Sequence, residues 1–143
     1  MYLLNSKNVF LQHNLIVDNM SNKGAGLYVT NSKVYLWRNK LIRNTAIYED
    51  DKEEEGNGGG IYFSCSKVST AEMRSCTGRC CLFLEKNKFD SNEADNKGGA
   101  IMWTDKNITV VPYSNWFTNN TANYANNTGS LPTHLEAEFK ADE

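Results

Sequence analysis

A chain of 143 residues is long enough for one domain with a core and too short to expect two. With 40% hydrophobic and 22% charged residues it is not disordered by composition, and no apolar run reaches the roughly 20 residues that cross a bilayer. A formal net charge of −2, with lysines and arginines scattered, offers no basic stripe for phosphates and so excludes a nucleic-acid groove.

The unusual component is asparagine, with nineteen copies. Asparagine tolerates left-handed backbone and bonds its own turn, so the chain should be rich in tight bends. Met1-Tyr2-Leu3-Leu4-Asn5 has neither a basic start nor a long apolar stretch, so no secretory signal is visible. The sequence reads as an interior piece of a longer chain, because its repeats begin and end without obvious caps.

Four units follow one another. The first runs from Val9-Phe10-Leu11 through Asn14-Leu15-Ile16-Val17-Asp18-Asn19 to Gly24-Ala25-Gly26-Leu27-Tyr28. The second has Val34-Tyr35-Leu36, then Asn39-Lys40-Leu41-Ile42-Arg43-Asn44, then Gly58-Gly59-Gly60-Ile61-Tyr62. The third has Leu82-Phe83-Leu84, then Asn87-Lys88-Phe89-Asp90-Ser91-Asn92, then Gly98-Gly99-Ala100-Ile101-Met102. The fourth has Val110-Val111-Pro112, then Asn115-Trp116-Phe117-Thr118-Asn119-Asn120, then a degenerate Thr128-Gly129-Ser130-Leu131-Pro132. The first asparagines are spaced by 25, 48 and 28 residues, and the long interval holds two inserted loops, 49–57 and 64–81.

Each unit reads as three short strands separated by turns. A strand period of two lets alternate residues face inward. One consistent choice puts Val9, Leu11, Ile16 and Leu27 inside, with Val34, Leu36, Leu41 and Ile61 stacked on them. Leu82, Leu84, Phe89 and Ile101 continue the columns, as do Val110, Phe117 and Leu131. A meander or sandwich could use such strands, but it would not return an asparagine to one fixed point per unit. Asn14, Asn39, Asn87 and Asn115 are therefore expected to form a ladder of amides between neighbouring units, against the plainer reading of water-facing turns.

Phe89-Asp90-Ser91-Asn92 followed by Gly98-Gly99-Ala100-Ile101 resembles the FxxN and GGA[ILV] pair of polymorphic outer-membrane-protein repeats. More broadly, residues 9–132 are similar to the parallel β-helix repeats of pectin-lyase-like proteins and of large microbial and protist surface proteins. The resemblance implies an all-β fold: a right-handed single-stranded parallel β-helix (solenoid) of about four coils with the two inserted loops. It implies no one activity, since this solenoid hosts lyases, hydrolases, adhesins and filaments. The fourth unit departs from the pattern, losing the second glycine and placing prolines in two strands. Thr133-His134-Leu135-Glu136 fits a capping box, so 133–143 reads as a C-terminal helix or a linker.

Cys65, Cys76, Cys80 and Cys81 crowd into one insertion, which suggests two disulfides stapling a loop without its own core. Three connectivities are open, Cys80–Cys81 being sterically the least favourable, and the rival is a zinc site using Cys76-x-x-x-Cys80. Asn19, Asn107, Asn119 and Asn126 begin sequons, candidates for glycosylation in a secreted chain. The acidic run Glu49 to Glu55 has carboxylates for calcium but no defined ligand spacing, and reads as a solvated loop. Asp18 and Asp90 occupy nearby repeat positions, yet Ile42 or Arg43 lies between them where an acid/base pair would need convergence. Gly58-Gly59-Gly60 lacks the following Lys-Ser/Thr of a phosphate loop, and His13 and His134 are out of phase. No catalytic, cofactor or metal site is therefore expected.

The outward positions carry the interaction chemistry. If Val34 and Leu36 face inward, then Tyr35 and Trp37 face outward with Phe10 and Phe83, and Tyr28, Tyr62 and Met102 form a second outward column. Contiguous exposed aromatics mark an interaction surface unless the chain's own loops cover them. The function expected is an extracellular or cell-surface structural or adhesive module, meeting other β-helical segments or subunits, or glycans. The rival is a carbohydrate-active enzyme or glycan-binding module with its key residues outside this segment.

Overall fold

In the computed structural model, residues 1–48, 55–65, 80–104 and 114–130 are described. The described chain is all-β, and every strand pairing in it is parallel. It visits four sheets in turn. The first pass lays down β1 (Tyr2–Leu4), β2 (Val9–Gln12), β3 (Leu15–Val17) and β4 (Met20–Ser21). The second lays down β5 (Leu27–Thr30), β6 (Lys33–Trp37), β7 (Lys40–Ile42) and β8 (Thr45–Ala46). The third has β9 (Ile61–Ser64), β10 (Cys81–Glu85), β11 (Lys88–Asp90) and β12 (Glu93–Lys97). Then come β13 (Ile101–Trp103), β14 (Trp116–Thr118), β15 (Thr121–Tyr124) and β16 (Thr128–Ser130). The first sheet has the order β1-β5-β9-β13-β16, the second β2-β6-β10, the third β3-β7-β11-β14 and the fourth β4-β8-β12-β15.

Each of the first three passes thus has four strands where the sequence pattern suggests three; in the last, β13, β14 and β15 lie in the first, third and fourth sheets and β16 returns to the first. The fourth-sheet strands are short and polar, and their inward positions Ser21, Ala46, Ala94 and Ala122 are small. No apolar run announces them. The sheet still forms because parallel neighbours supply its backbone bonds, such as Thr45 N–H to Asn19 O, Glu93 N–H to Asn44 O and Thr121 N–H to Asn92 O.

The core consists of columns of like residues. Leu36 pairs with Leu11 on one side and Leu84 on the other, and Val34 with Val9 and Leu82. In the third sheet the column is Ile16, Leu41, Phe89 and Phe117, with the two phenylalanine rings stacked at 5.0 Å. The first sheet contributes Leu27, Ile61 and Ile101 together with Val29 and Phe63, all buried. Burying one such side chain stabilises by about 1.5–3 kcal/mol, so the columns dominate the fold's energetics.

The last pass corrects the expected register. Thr128, and not Leu131, pairs with Ile101. The turn Ala125-Asn126-Asn127 replaces Gly98-Gly99-Ala100, since Gly99 N–H bonds Ala125 O and Ala100 N–H bonds Asn126 O. A β-bulge between Ala94 and Lys97 absorbs the extra residue of β12. Gly129 misleads a sequence alignment because it occupies the position of Met102, not of a turn glycine. Ala125 takes φ +60° where earlier passes have Gly24, Gly58 and Gly98, also at positive φ. The expected inward residues Val110 and Leu131, the prolines of the fourth unit and the helix or linker 133–143 lie outside the described residues.

The cysteine insertion has a defined neck. Cys65 follows β9 and Cys80 precedes β10, at the positions that Asn31 and Ser32 occupy in the previous pass. A disulfide joins Cys65 to Cys80 with the Cα atoms 6.0 Å apart. The bond therefore closes the corner that a two-residue turn closes one level earlier. Both sulfurs belong to the core, being almost fully buried. Cys81 is also disulfide-bonded, and the remaining cysteine, Cys76, lies outside the described residues.

Candidate interaction surface

The second sheet turns residues 9 and 11 and their partners inward, so 10 and 12 face out. Parallel register then stacks Phe10, Tyr35 and Phe83 in one outer column and Gln12, Trp37 and Glu85 in the next. The rings lie face to face, Phe10 on Tyr35 at 4.6 Å and Tyr35 on Phe83 at 4.5 Å. Lys33 holds its ammonium 5.6 Å from the Tyr35 ring centre and 5.8 Å from that of Phe83. Arg38 covers Trp37 at 4.4 Å, and His13 meets the same indole edge-on. Between the two columns runs a groove of about 190 Å³ floored by Leu36.

Within the column the rings cover one another's faces, while Phe10 at its end is stacked on one side only and is 61% exposed. A sugar ring stacks on an aromatic face, and Tyr35 has both faces occupied.

The first sheet has a comparable column, Tyr2, Tyr28, Tyr62 and Met102, with Tyr2 stacked on Tyr28 at 4.6 Å and Tyr28 on Tyr62 at 5.3 Å. Here the expected outward surface is corrected. Tyr62 is only 7% exposed and Met102 1%. Lys23 lies over the Tyr62 ring, and Met102 packs against Gly129 of the last pass. Only the Tyr2 and Tyr28 end reaches solvent.

The asparagines form two ladders. In the first, Asn39 Oδ1 accepts from the main-chain N–H and the amide of Asn14, both at 2.9 Å. Its own Nδ2 donates to Leu11 O at 2.7 Å and to Asn87 Oδ1 at 3.1 Å. Asn87 repeats the pattern toward Leu36 O and Asn115. The second ladder is Asn19, Asn44, Asn92 and Asn120, with the same donors and acceptors one bend further along. Inside the stack each amide makes all four bonds open to it. The residue before seven of the eight ladder asparagines is left-handed but not glycine: His13, Arg38 and Lys86 for the first, Asp18, Arg43, Ser91 and Asn119 for the second. Such a residue costs about 1–2 kcal/mol, offset by the amide bonds that hold the bend.

Among the sequons, Asn19 is committed to the second ladder, donating to Asn44 and to Val17 O. Asn119 is exposed at φ +52°. Asn126 is exposed, with its oxygen accepting from Ala122 N–H. Asn107 lies outside the described residues, as do Glu49 and the rest of the acidic run up to Glu54; Glu55 is buried.

On the outer face of the third sheet, Arg43 makes a two-pronged ion pair with Asp18 at 2.7 Å, and Lys88 pairs with Asp90 at 2.7 Å. The Arg43 hydrogen bond holds the Asp18 carboxyl below the usual range, and the Lys88 and Ser91 hydrogen bonds do the same for Asp90. A glycosidase acid needs the opposite, a carboxyl pushed up until it keeps its proton. Both carboxylates are solvated ion-pair partners. No group of three metal-binding side chains occurs among the described residues.

No family model, curated protein or solved structure matches this sequence.

Proposed function

We propose that this chain is part of a right-handed single-stranded parallel β-helix of about four coils, serving as an extracellular structural or adhesive module of a surface protein or filament. The fixed order in which the chain revisits four parallel sheets supports the solenoid, as do the two amide ladders. The similarity to polymorphic outer-membrane-protein and pectin-lyase-like repeats points the same way. The buried Cys65–Cys80 disulfide supports an oxidising compartment, because cytosolic thiols are kept reduced.

The observation that carries the adhesive role is the outer column Phe10–Tyr35–Phe83 beside its groove. Aromatic strips of this kind anchor protein contacts. Its partner is a protein segment offering apolar groups to the rings and an acidic group to Lys33. The ion pairs of Asp18 with Arg43 and of Asp90 with Lys88 tell against those two carboxylates as an acid/base pair.

The test pans a phage-displayed peptide library against the full chain, with a glycan array in parallel. Peptides rich in apolar and acidic residues should be selected. They should bind the Tyr35→Ser, Phe83→Ser double variant at least tenfold more weakly. Glycan binding without peptide selection, or peptides indifferent to the double variant, would overturn the reading.

A further inference from the structure

Of the nine large hydrophobic side chains exposed among the described residues, six sit on or beside the first-pass strands: Met1, Tyr2, Leu4, Phe10, Leu15 and Met20. Those strands, β1 to β4, are the outermost members of all four sheets at one end. The core columns are open at the same end. Val9, Leu11 and Ile16 are partly buried there, while their partners Val34, Leu36 and Leu41 are at most 1% exposed. An edge of unpaired strand backbone with apolar side chains is a template for further strands.

The amide ladders say what kind of strand fits. At every step in both ladders, Oδ1 of an asparagine accepts the main-chain N–H and the Nδ2–H of the asparagine one pass earlier. The ladders therefore have a direction. At the β1–β4 end, the Oδ1 atoms of Asn14 and Asn19 accept from no described residue. An occupant must bring an asparagine, with its two donors, to each of these points, five residues apart in sequence. The small-residue turn is directional too: Gly24 and Ala25 donate their N–H groups to Asn57 O and Gly58 O of the next pass. Beside them opens a concavity of about 790 Å³, lined also by Tyr2, Met20 and Tyr28.

The described residues of a second copy of this chain do not meet these demands. Two β1–β4 ends face to face would set amide oxygen against amide oxygen. In a head-to-tail joint, β14 and β15 would meet β3 and β4 only if β16 and β1 shared one place, because the first sheet carries an extra strand.

We propose that the β1–β4 end docks one further pass of the same repeat, a polypeptide segment with two apolar residues on one strand face, then Asn-x-apolar-x-x-Asn, then a glycine turn. This rests on the solenoid reading above and names its partner. The segment's inward side chains would close the columns over Val9, Leu11 and Ile16, and its asparagines would saturate Asn14 and Asn19.

The probe is a synthetic peptide with the sequence of residues 7–26, added to the full chain and followed by calorimetry and by amide exchange of β2 to β4. Binding should protect those strands. A peptide in which the residues matching Asn14 and Asn19 are alanine should bind at least tenfold more weakly. No binding, or equal binding by the alanine peptide, overturns the proposal. The Tyr35→Ser, Phe83→Ser variant should still bind the peptide, so a failure of the adhesive face and a failure of end docking are separate results.

Discussion

Asn87 shows how one side chain holds two levels together. It is fully buried, takes two bonds from Asn39, and gives one to Leu36 O and one to Asn115. Aspartate has nearly the same shape but no amide hydrogens. Asn87→Asp would set a buried charge against the Leu36 and Asn115 oxygens, and should destabilise by about 3 kcal/mol or more. Asn8→Asp, at an exposed position outside the ladders, should shift the urea midpoint by less than about 0.5 kcal/mol equivalent. Equal effects at the two sites would mean that the ladder adds nothing. The first ladder is legible in the sequence because Asn14, Asn39, Asn87 and Asn115 recur before an apolar column. The second recurs as faithfully, but Asn19 also begins a sequon, and that competing meaning hides it. Tyr62 was not legible as buried, because strand alternation assigns a face without showing what lies over it.

At the scale of elements, the corners accept insertions and the strands keep their register. Asn31-Ser32 turns the chain between the first and second sheets, with Ser32 Oγ accepting from Ser6 N–H of the pass before. One level later Cys65 and Cys80 take those places, and the register resumes at once, Cys81 opposite Lys33 and Leu82 opposite Val34. The neck is therefore interchangeable with a short turn. Replacing residues 65–80 by Asn-Ser, with Cys81→Ala, should keep the β-sheet circular dichroism and change stability by only about 1 kcal/mol. Cys65→Ser with Cys80→Ser in the full chain should instead lose about 3 kcal/mol, the closure entropy of a loop with a sequence separation of 15. Thermal melts of the two variants distinguish them, and the reverse order of stability would show that the inserted segment carries part of the core. Clustered cysteines revealed the insertion from sequence. The fourth-sheet strands stayed hidden because Ser21, Ala46, Ala94 and Ala122 give no hydrophobic signal, and their pairing is imposed by neighbouring passes.

Across the whole molecule, contacts run mainly between adjacent passes, so stability should be distributed along the stack and not shared evenly. The middle passes have the complete columns: Val34, Leu36, Leu41 and Phe89 have paired strands on both sides, and Leu82 and Leu84 are fully buried. The first pass has neighbours on one side only, and Leu3, Val9, Leu11 and Ile16 are correspondingly half-buried. Local opening should therefore begin at β1 to β4, and amide exchange should be fastest there and slowest in β6, β7, β10 and β11. Exchange followed by mass spectrometry on the full chain gives the profile directly. Uniform protection would indicate a single cooperative unit, contrary to a stack held by nearest-neighbour columns. Asn87→Asp sharpens the comparison. In a stack it should raise exchange in β10, β11 and their direct neighbours β6, β7 and β14, while leaving β1 with its already fast rate.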